Sequence, residues 1–190
     1  MRLKPFYQGK VDTFCAIYAV LNALRITHGI RTLKARDILN ETLMGLAGDP
    51  SAFRAVLEQQ TDYISLVDGM LRAQQVAFPL ETHKPFATGR PVSPEELWNS
   101  CREWMAEGTN RTIILRFTRN LVPGGSPANR HWTTVDGIDD KALHLFDCSH
   151  EAEAILHIHR NAFVTRSEEI SADRLLCIQP ESLRFLRLPF

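Results

Sequence analysis

The stretch Thr13-Phe14-Cys15-Ala16-Ile17-Tyr18-Ala19-Val20-Leu21-Asn22-Ala23-Leu24 constrains this chain more than any other. Apolar residues at 14, 15, 17, 18, 20, 21 and 24 cover nearly the whole circumference of a helix, so the rest of the domain has to enclose the segment. Thr13 or Asp12 is placed to cap a helix starting at Phe14, with Asp12 read as a cap rather than a catalytic acid, and Gly29 is placed to end it. The polar loop Tyr7-Gln8-Gly9-Lys10 precedes it, so Cys15 falls where loop becomes helix. The first N–H groups of a helix lack intrahelical partners and carry the positive end of its dipole, which biases a thiol there toward thiolate. Cys15 is therefore the candidate nucleophile. The alternative is a small buried hydrophobe at the start of a core helix.

A chain of 190 residues with 44% hydrophobic residues is long enough for one domain with a sizeable core, so residues 1–190 are read as a single domain. Lys plus Arg and Asp plus Glu are equal at 22 each, which removes any electrostatic argument for nucleic acid or an anionic membrane as partner. Cys15, Cys101, Cys148 and Cys177 form no C-x-x-C pair, which argues against a zinc knuckle, a thioredoxin-like site or a disulfide framework. Reduced thiols in a cytoplasmic, soluble protein are expected. Met1 to Pro5 leads into no signal-peptide core, and no apolar run of 18 or more residues occurs.

The first half reads as helical. Thr32 can cap a second helix with Ile38, Leu39, Leu43 and Leu46, a third starts at Asp49-Pro50, and a fourth runs from about Asp62 to Gln75. Val76 to Leu80 is at most a short edge strand because of Pro79. Ser93-Pro94-Glu95-Glu96 is a capping box with proline at the first helical position, opening a helix that ends at Gly108 and holds Cys101 in the core.

After Gly108 the pattern turns to β. Arg111 to Thr118 is rich in β-branched and aromatic residues, and His131 to Ile138 with Lys141 to Asp147 forms a hairpin across Asp139-Asp140. Further strands are expected within Ala154 to His159, Leu175 to Ile178 and Leu183 to Leu188. The fold class is α+β, a helical front half packed on a largely antiparallel sheet.

An antiparallel turn at Asp139-Asp140 brings the start of one strand across from the end of the next, so His131 and Asp147 become neighbours. A base oriented by a carboxylate is what a thiol nucleophile needs. Trp132 is placed to shield the pair from water or to fill the core. Gly124 and Gly125, upstream of His131, are either a lid over the site or a long connection between strands. His157 and His159, with His144 and His150 near in sequence, share a strand face but alternate with Leu156 and Ile158 as a half-exposed strand does. No metal or other cofactor is expected.

Gln8, then Cys15 on a hydrophobic helix, then His131-Trp132 opening a strand through Val135-Asp136-Gly137, then Leu145-Phe146-Asp147, resembles the papain-like cysteine peptidases, most of all the C39-like branch. Bacterial members of that branch include peptidases that cut after double-glycine leaders. The resemblance implies a papain-like fold in which Cys15 is the nucleophile, His131 the base and Asp147 the orienting residue, with Ser149 as the alternative orienter. It implies that Gln8 supplies a donor to the oxyanion hole beside the Cys15 N–H. The chain departs from many relatives in having Phe14 and Ala16 around the cysteine, where a following glycine is common, so less space is expected in front of the thiol. Cys148 stands where proline often follows the aspartate.

The expected function is hydrolysis of an amide or peptide bond through a thioester, with a peptide or protein substrate. The alternatives are an acyltransferase, transglutaminase-like enzyme or deamidase with the same residues, or a non-catalytic peptide-binding module on a degenerate peptidase scaffold.

Overall fold

A computed structural model of the chain describes residues 3–8, 13–86, 90–149 and 155–189. The central helix α1 (Cys15–His28) is the axis of the molecule, and Ala16, Ile17, Ala19, Val20, Leu21, Ala23 and Leu24 along it are all buried. Each fully buried Ile, Val or Leu contributes about 1.5–3 kcal/mol relative to exposure, so burial all round fixes where this helix lies. Gly29, at φ 65°, ends it in the left-handed conformation, and the Gly29 N–H returns to the Arg25 carbonyl at 3.1 Å.

The helix starts one residue later than expected, at Cys15. Phe14 occupies the capping position without any side-chain cap, and Thr13 points away, donating from Oγ1 to the Val56 carbonyl at 3.4 Å. Asp12, the other expected cap, lies outside the described residues.

Three further helices follow: α2 (Thr32–Ala47), α3 (Pro50–Leu57) and α4 (Tyr63–Gln74). Asp49 and Asp62 cap α3 and α4, each carboxylate accepting from two backbone N–H groups, whereas α2 starts without a side-chain cap. Val76 to Leu80 forms no strand. The Gln75 side chain instead brackets Leu80, donating to its carbonyl at 3.0 Å and accepting from its N–H at 3.3 Å, and the edge strand is β1 (Glu81–His83). Ser93 caps α5 (Pro94–Ala106) as expected, its Oγ accepting from the Glu96 N–H at 3.1 Å.

The strands β2 (Arg111–Arg119), β3 (Asn129–Ile138), β4 (Ala142–Leu145), β5 (His157–His159), β6 (Phe163–Val164), β7 (Leu176–Ile178) and β8 (Arg184–Arg187) join β1 in one eight-stranded sheet. Its main path is β1-β8-β2-β3-β4-β5, and β7 extends the β2 edge beyond β8. All pairings are antiparallel except β6 with β7. Of the strand expected over 154–159, β5 spans His157 to His159 opposite β4, Ala154 lies outside the described residues, and β6 was not expected from the sequence.

The pleat of β2 and β3 divides the core. Ile114, Trp132 and Leu186 face α1 together with α2 and α4, while Ile113, Leu115, Phe117, Val135 and Phe185 face α5 on the other side. Helices therefore cover both faces of the sheet: α5 takes the face opposite α1, because Leu97, Trp98 and Cys101 form the apolar stripe that the second face requires. The chain is a mixed α+β protein of five helices and a sheet of eight strands among the described residues. No helix there is long and apolar enough to cross a membrane.

One polar residue interrupts the apolar axis. Asn22 is fully buried in α1 and brackets Phe6, accepting from its N–H at 2.7 Å and donating to its carbonyl at 3.2 Å. The Arg25 guanidinium covers the Phe6 ring at 4.4 Å. Segment 3–8 is thereby strapped along the helix. Asn22→Ala leaves both Phe6 backbone groups without their partner, and it is expected to lower the unfolding free energy by about 1–3 kcal/mol in a urea titration.

Candidate active site

Each of the four cysteines has a distinct setting. Cys101, Cys148 and Cys177 are buried, whereas Cys15 is only partly so, at the first residue of α1. Burial pushes the Cys148 and Cys177 thiols up to about 11 and raises that of Cys101 further still. The first-turn amides of α1 are not taken by a capping side chain, so the helix presents donors beside the Cys15 sulfur. Ala16, the next residue, is fully buried in the core.

His131 is the third residue of β3, and the hairpin delivers Asp147 to it. The β3–β4 register runs Ile138 to Leu143, Gly137 to His144 and, past a bulge, Val135 to Leu145. The Phe146 N–H then bonds the Thr134 carbonyl at 2.7 Å, one residue short of Asp147, whose carboxylate meets His131 and Thr133. His131 Nε2 lies 2.6 Å from Asp147 Oδ1, with both side chains buried. Thr133 Oγ1 donates to the same oxygen at 2.8 Å, and the Ser149 N–H donates to Oδ2 at 3.3 Å. Ser149 Oγ stands 3.3 Å from His131 Nε2. Asp147 makes the short bond to the ring and Ser149 supports it.

With Nε2 committed to Asp147, Nδ1 is the ring nitrogen that can serve the Cys15 thiol, which lies near enough to favour the charged ring. Burial acts to lower the His131 pKa, but the hydrogen bonds from Asp147, Cys148 and Cys15 and the negative charge of Asp147 outweigh it and hold the ring protonated well above its ordinary 6.5. Burial would raise the Asp147 carboxyl, and the His131 hydrogen bond and charge instead hold it below its ordinary 3.8.

Gln8 reaches this group through Cys148. The Gln8 N–H donates to the Cys148 carbonyl at 2.8 Å, and the Cys148 thiol lies 3.7 Å from Gln8 Oε1. That holds the carbonyl end of the Gln8 amide, so its Nε2 is the end able to donate elsewhere. The same sulfur is 3.9 Å from the Cys15 carbonyl, 3.9 Å from His131 Nε2 and 3.7 Å from the Trp132 carbonyl. Cys148 is the hub joining the Gln8 strap, α1 and the His131 strand, a role with no signature in sequence.

Other expected residues have different settings. Trp132 is buried between sheet and α1, in the cluster against which Cys15 packs. Gly124 and Gly125 form the turn of the β2–β3 connection, where Gly124 has φ 70° and a Cβ on Gly125 would meet Val122 Cγ2 at 2.9 Å. Asn120 Nδ2 ties that turn by donating to the Gly125 carbonyl at 3.1 Å. His144 bonds Asp139 at 2.9 Å and meets the edge of the His157 ring at 4.9 Å, and His150 lies outside the described residues. Ligand atoms of His131, Asp147 and Cys148 lie within 4.8 Å of one another, but the direct bond between His131 and Asp147 commits those two to each other.

Two residues near the thiol escaped the sequence reading. Tyr63, at the start of α4, donates from its hydroxyl to the Val56 carbonyl at 2.9 Å, and burial followed by the nearby Cys15 raises its pKa. Arg116 of β2 also lies within electrostatic range of Cys15. No model of a known protein family matches the chain, and no curated protein matches it either.

Because the folded pKa of His131 is raised, the stability it contributes is fully present below about 6.5 and is lost as pH rises through the folded value. That of Asp147 is present above about 3.8 and lost as pH falls. In ¹⁵N-labelled protein the His131 ring is expected to keep imidazolium shifts at pH 8, and Asp147→Asn is expected to bring its titration down toward 6.5. A wild-type ring that titrates at its ordinary value would contradict this description.

Proposed function

We propose that the chain is a papain-like cysteine hydrolase that cleaves amide or peptide bonds through a thioester on Cys15. The observation that carries this reading is the setting of Cys15. It is the one cysteine not buried, it opens the central helix, and it lies within electrostatic range of an imidazole whose Nε2 is held 2.6 Å from a buried carboxylate.

In this reading the Cys15 thiolate attacks the carbonyl carbon, and the C=O π electrons move onto oxygen. The oxyanion is met by the Cys15 backbone N–H and Gln8 Nε2. The His131 imidazolium gives its proton to the departing nitrogen as the C–N bond breaks, leaving a thioester. Water then attacks the thioester while the now neutral His131 takes its proton, and the returning thiolate closes the cycle. Asp147, braced by Thr133, orients the ring and stabilises its cationic form. Peptides and proteins are the substrate class, and neither nucleic acid nor membrane has a part in the mechanism.

The test uses p-nitrophenyl acetate as a minimal acyl donor. A burst of nitrophenol is expected, with mass spectrometry placing one acetyl group on Cys15. Cys15→Ala should abolish the burst, His131→Ala should slow acylation by about 10²–10⁴-fold, and Gln8→Ala by about 10²–10³-fold. Acylation spread over all four cysteines, or none, would refute the reading. Adding a primary amine separates hydrolysis from acyl transfer: amide product in place of acetate assigns the transferase alternative.

A further inference from the structure

The sheet face that looks toward α1 carries a cation, Arg116, that the proposed chemistry leaves unused. Arg116 lies in the middle of β2, directly across from Trp132 of β3, and the pleat puts its side chain on the same face as Ile114 and Trp132, the face packed by α1. Its backbone is fully engaged, the N–H with Ser182 Oγ at 2.8 Å and the carbonyl with the Gln179 N–H at 3.0 Å, so the residue cannot swing away by shifting its strand. The guanidinium has no such anchor. Its Nε is buried with no hydrogen-bond partner, and among the described residues the side chain forms no ion pair.

Arg130, one register step along on the same face, adds a second positive charge and is exposed. Cys15, Tyr63 and Glu181 are within electrostatic range of the Arg116 guanidinium. Glu181 is the one carboxylate among them, and it makes no ion pair with either arginine among the described residues. A half-buried guanidinium with an orphaned donor is costly unless something accepts from it. Arg also presents a planar fork of donors matched to a carboxylate.

We propose that Arg116, seconded by Arg130, binds a carboxylate of the acyl donor while its carbonyl carbon sits on Cys15 Sγ, so that the enzyme selects acidic substrates. This rests on Cys15 being the nucleophile. The selected group is the carboxylate of an acidic residue or chain terminus beside the scissile bond. The net charge of zero gives no hint of it, because selection comes from the local placement of Arg116 on the face packed by α1, with Arg130 next to it on that face.

The experiment compares matched neutral and anionic reagents on the full chain. In the first arm, iodoacetate and iodoacetamide alkylate Cys15 by forming S–C as C–I breaks and iodide leaves, which puts the carboxylate on the attacked fragment. In the second, 4-acetoxybenzoate and phenyl acetate acylate it, which puts the carboxylate on the leaving group. The expected result is a rate ratio, anionic over neutral, about tenfold above that for 2-mercaptoethanol in at least one arm, and the responding arm tells which side of the scissile bond carries the charge. Arg116→Gln should bring the ratio down to the free-thiol value and Arg116→Lys should restore part of it. Arg130→Gln, at an exposed position that folding does not depend on, should lower it by a smaller factor. A ratio in both arms equal to that of 2-mercaptoethanol would overturn the proposal, as would an equal slowing of neutral and anionic reagents by Arg116→Gln, which would make the arginine a stabiliser of the thiolate alone. Failure of p-nitrophenyl acetate to acylate Cys15 refutes the nucleophile itself, whereas normal acylation without anionic preference refutes only the role of Arg116.

Discussion

Packing of α1 across β2 and β3 sets the position of everything polar in this molecule. The helix is buried around nearly its whole circumference, with α2 and α4 on one side and Ile114 and Trp132 of the sheet on the other. Thr134 adds a directional constraint by donating to the Ala19 carbonyl at 3.0 Å, inside the core and far from any solvent that could compete. A close-packed interior resists sliding and rotation by even a fraction of a residue. Cys15, at the end of that helix, therefore stands in a fixed relation to His131 at the start of the strand beneath. The Asn22 clamp on Phe6 extends the same constraint to the segment that carries Gln8.

At this end of the helix the apolar core gives way to charge. Burying His131 and Asp147 would be unfavourable for either alone, and their mutual bond, with Thr133 and Ser149 filling the remaining positions on the carboxylate, offsets that cost. The result is an imidazolium that persists at neutral pH beside a thiol at a helix N-terminus. Cys148 packs against the reverse of the same group, and its burial removes it from chemistry while its sulfur bridges three segments. Two neighbouring cysteines thus differ in exposure, Cys148 buried and Cys15 partly open.

Local chemistry made much of this legible. Gly29, Asp49, Asp62 and the Ser93-Pro94 box mark helix ends through interactions within a few residues, and all four act at those ends in the structure. The hairpin across Asp139-Asp140 is equally local, its Asp139 carboxylate accepting from the Lys141 and Ala142 N–H groups at 2.7 and 2.8 Å, and it carried His131 and Asp147 with it. What escaped depends on partners far along the chain. Thr13 turned from capping α1 to the Val56 carbonyl, and the strand expected around Val76 moved to Glu81, where β8 from the chain's end supplies a partner. Arg116 looks like one polar residue in a β-strand until the register sets it across from Trp132 and below the start of α1.

The sequence by itself determined that one helix must be buried, that a cysteine lies where loop becomes helix, and that a tight turn pairs a histidine with an aspartate, because periodicity and turn chemistry act over short separations. Tertiary structure alone decided that α5 takes the far face of the sheet, that Cys148 joins Gln8 to His131, and that Arg116 faces α1 with no ion pair among the described residues. Those outcomes follow from the register of β2 between β3, β7 and β8, which is settled only when strands distant in sequence pack together.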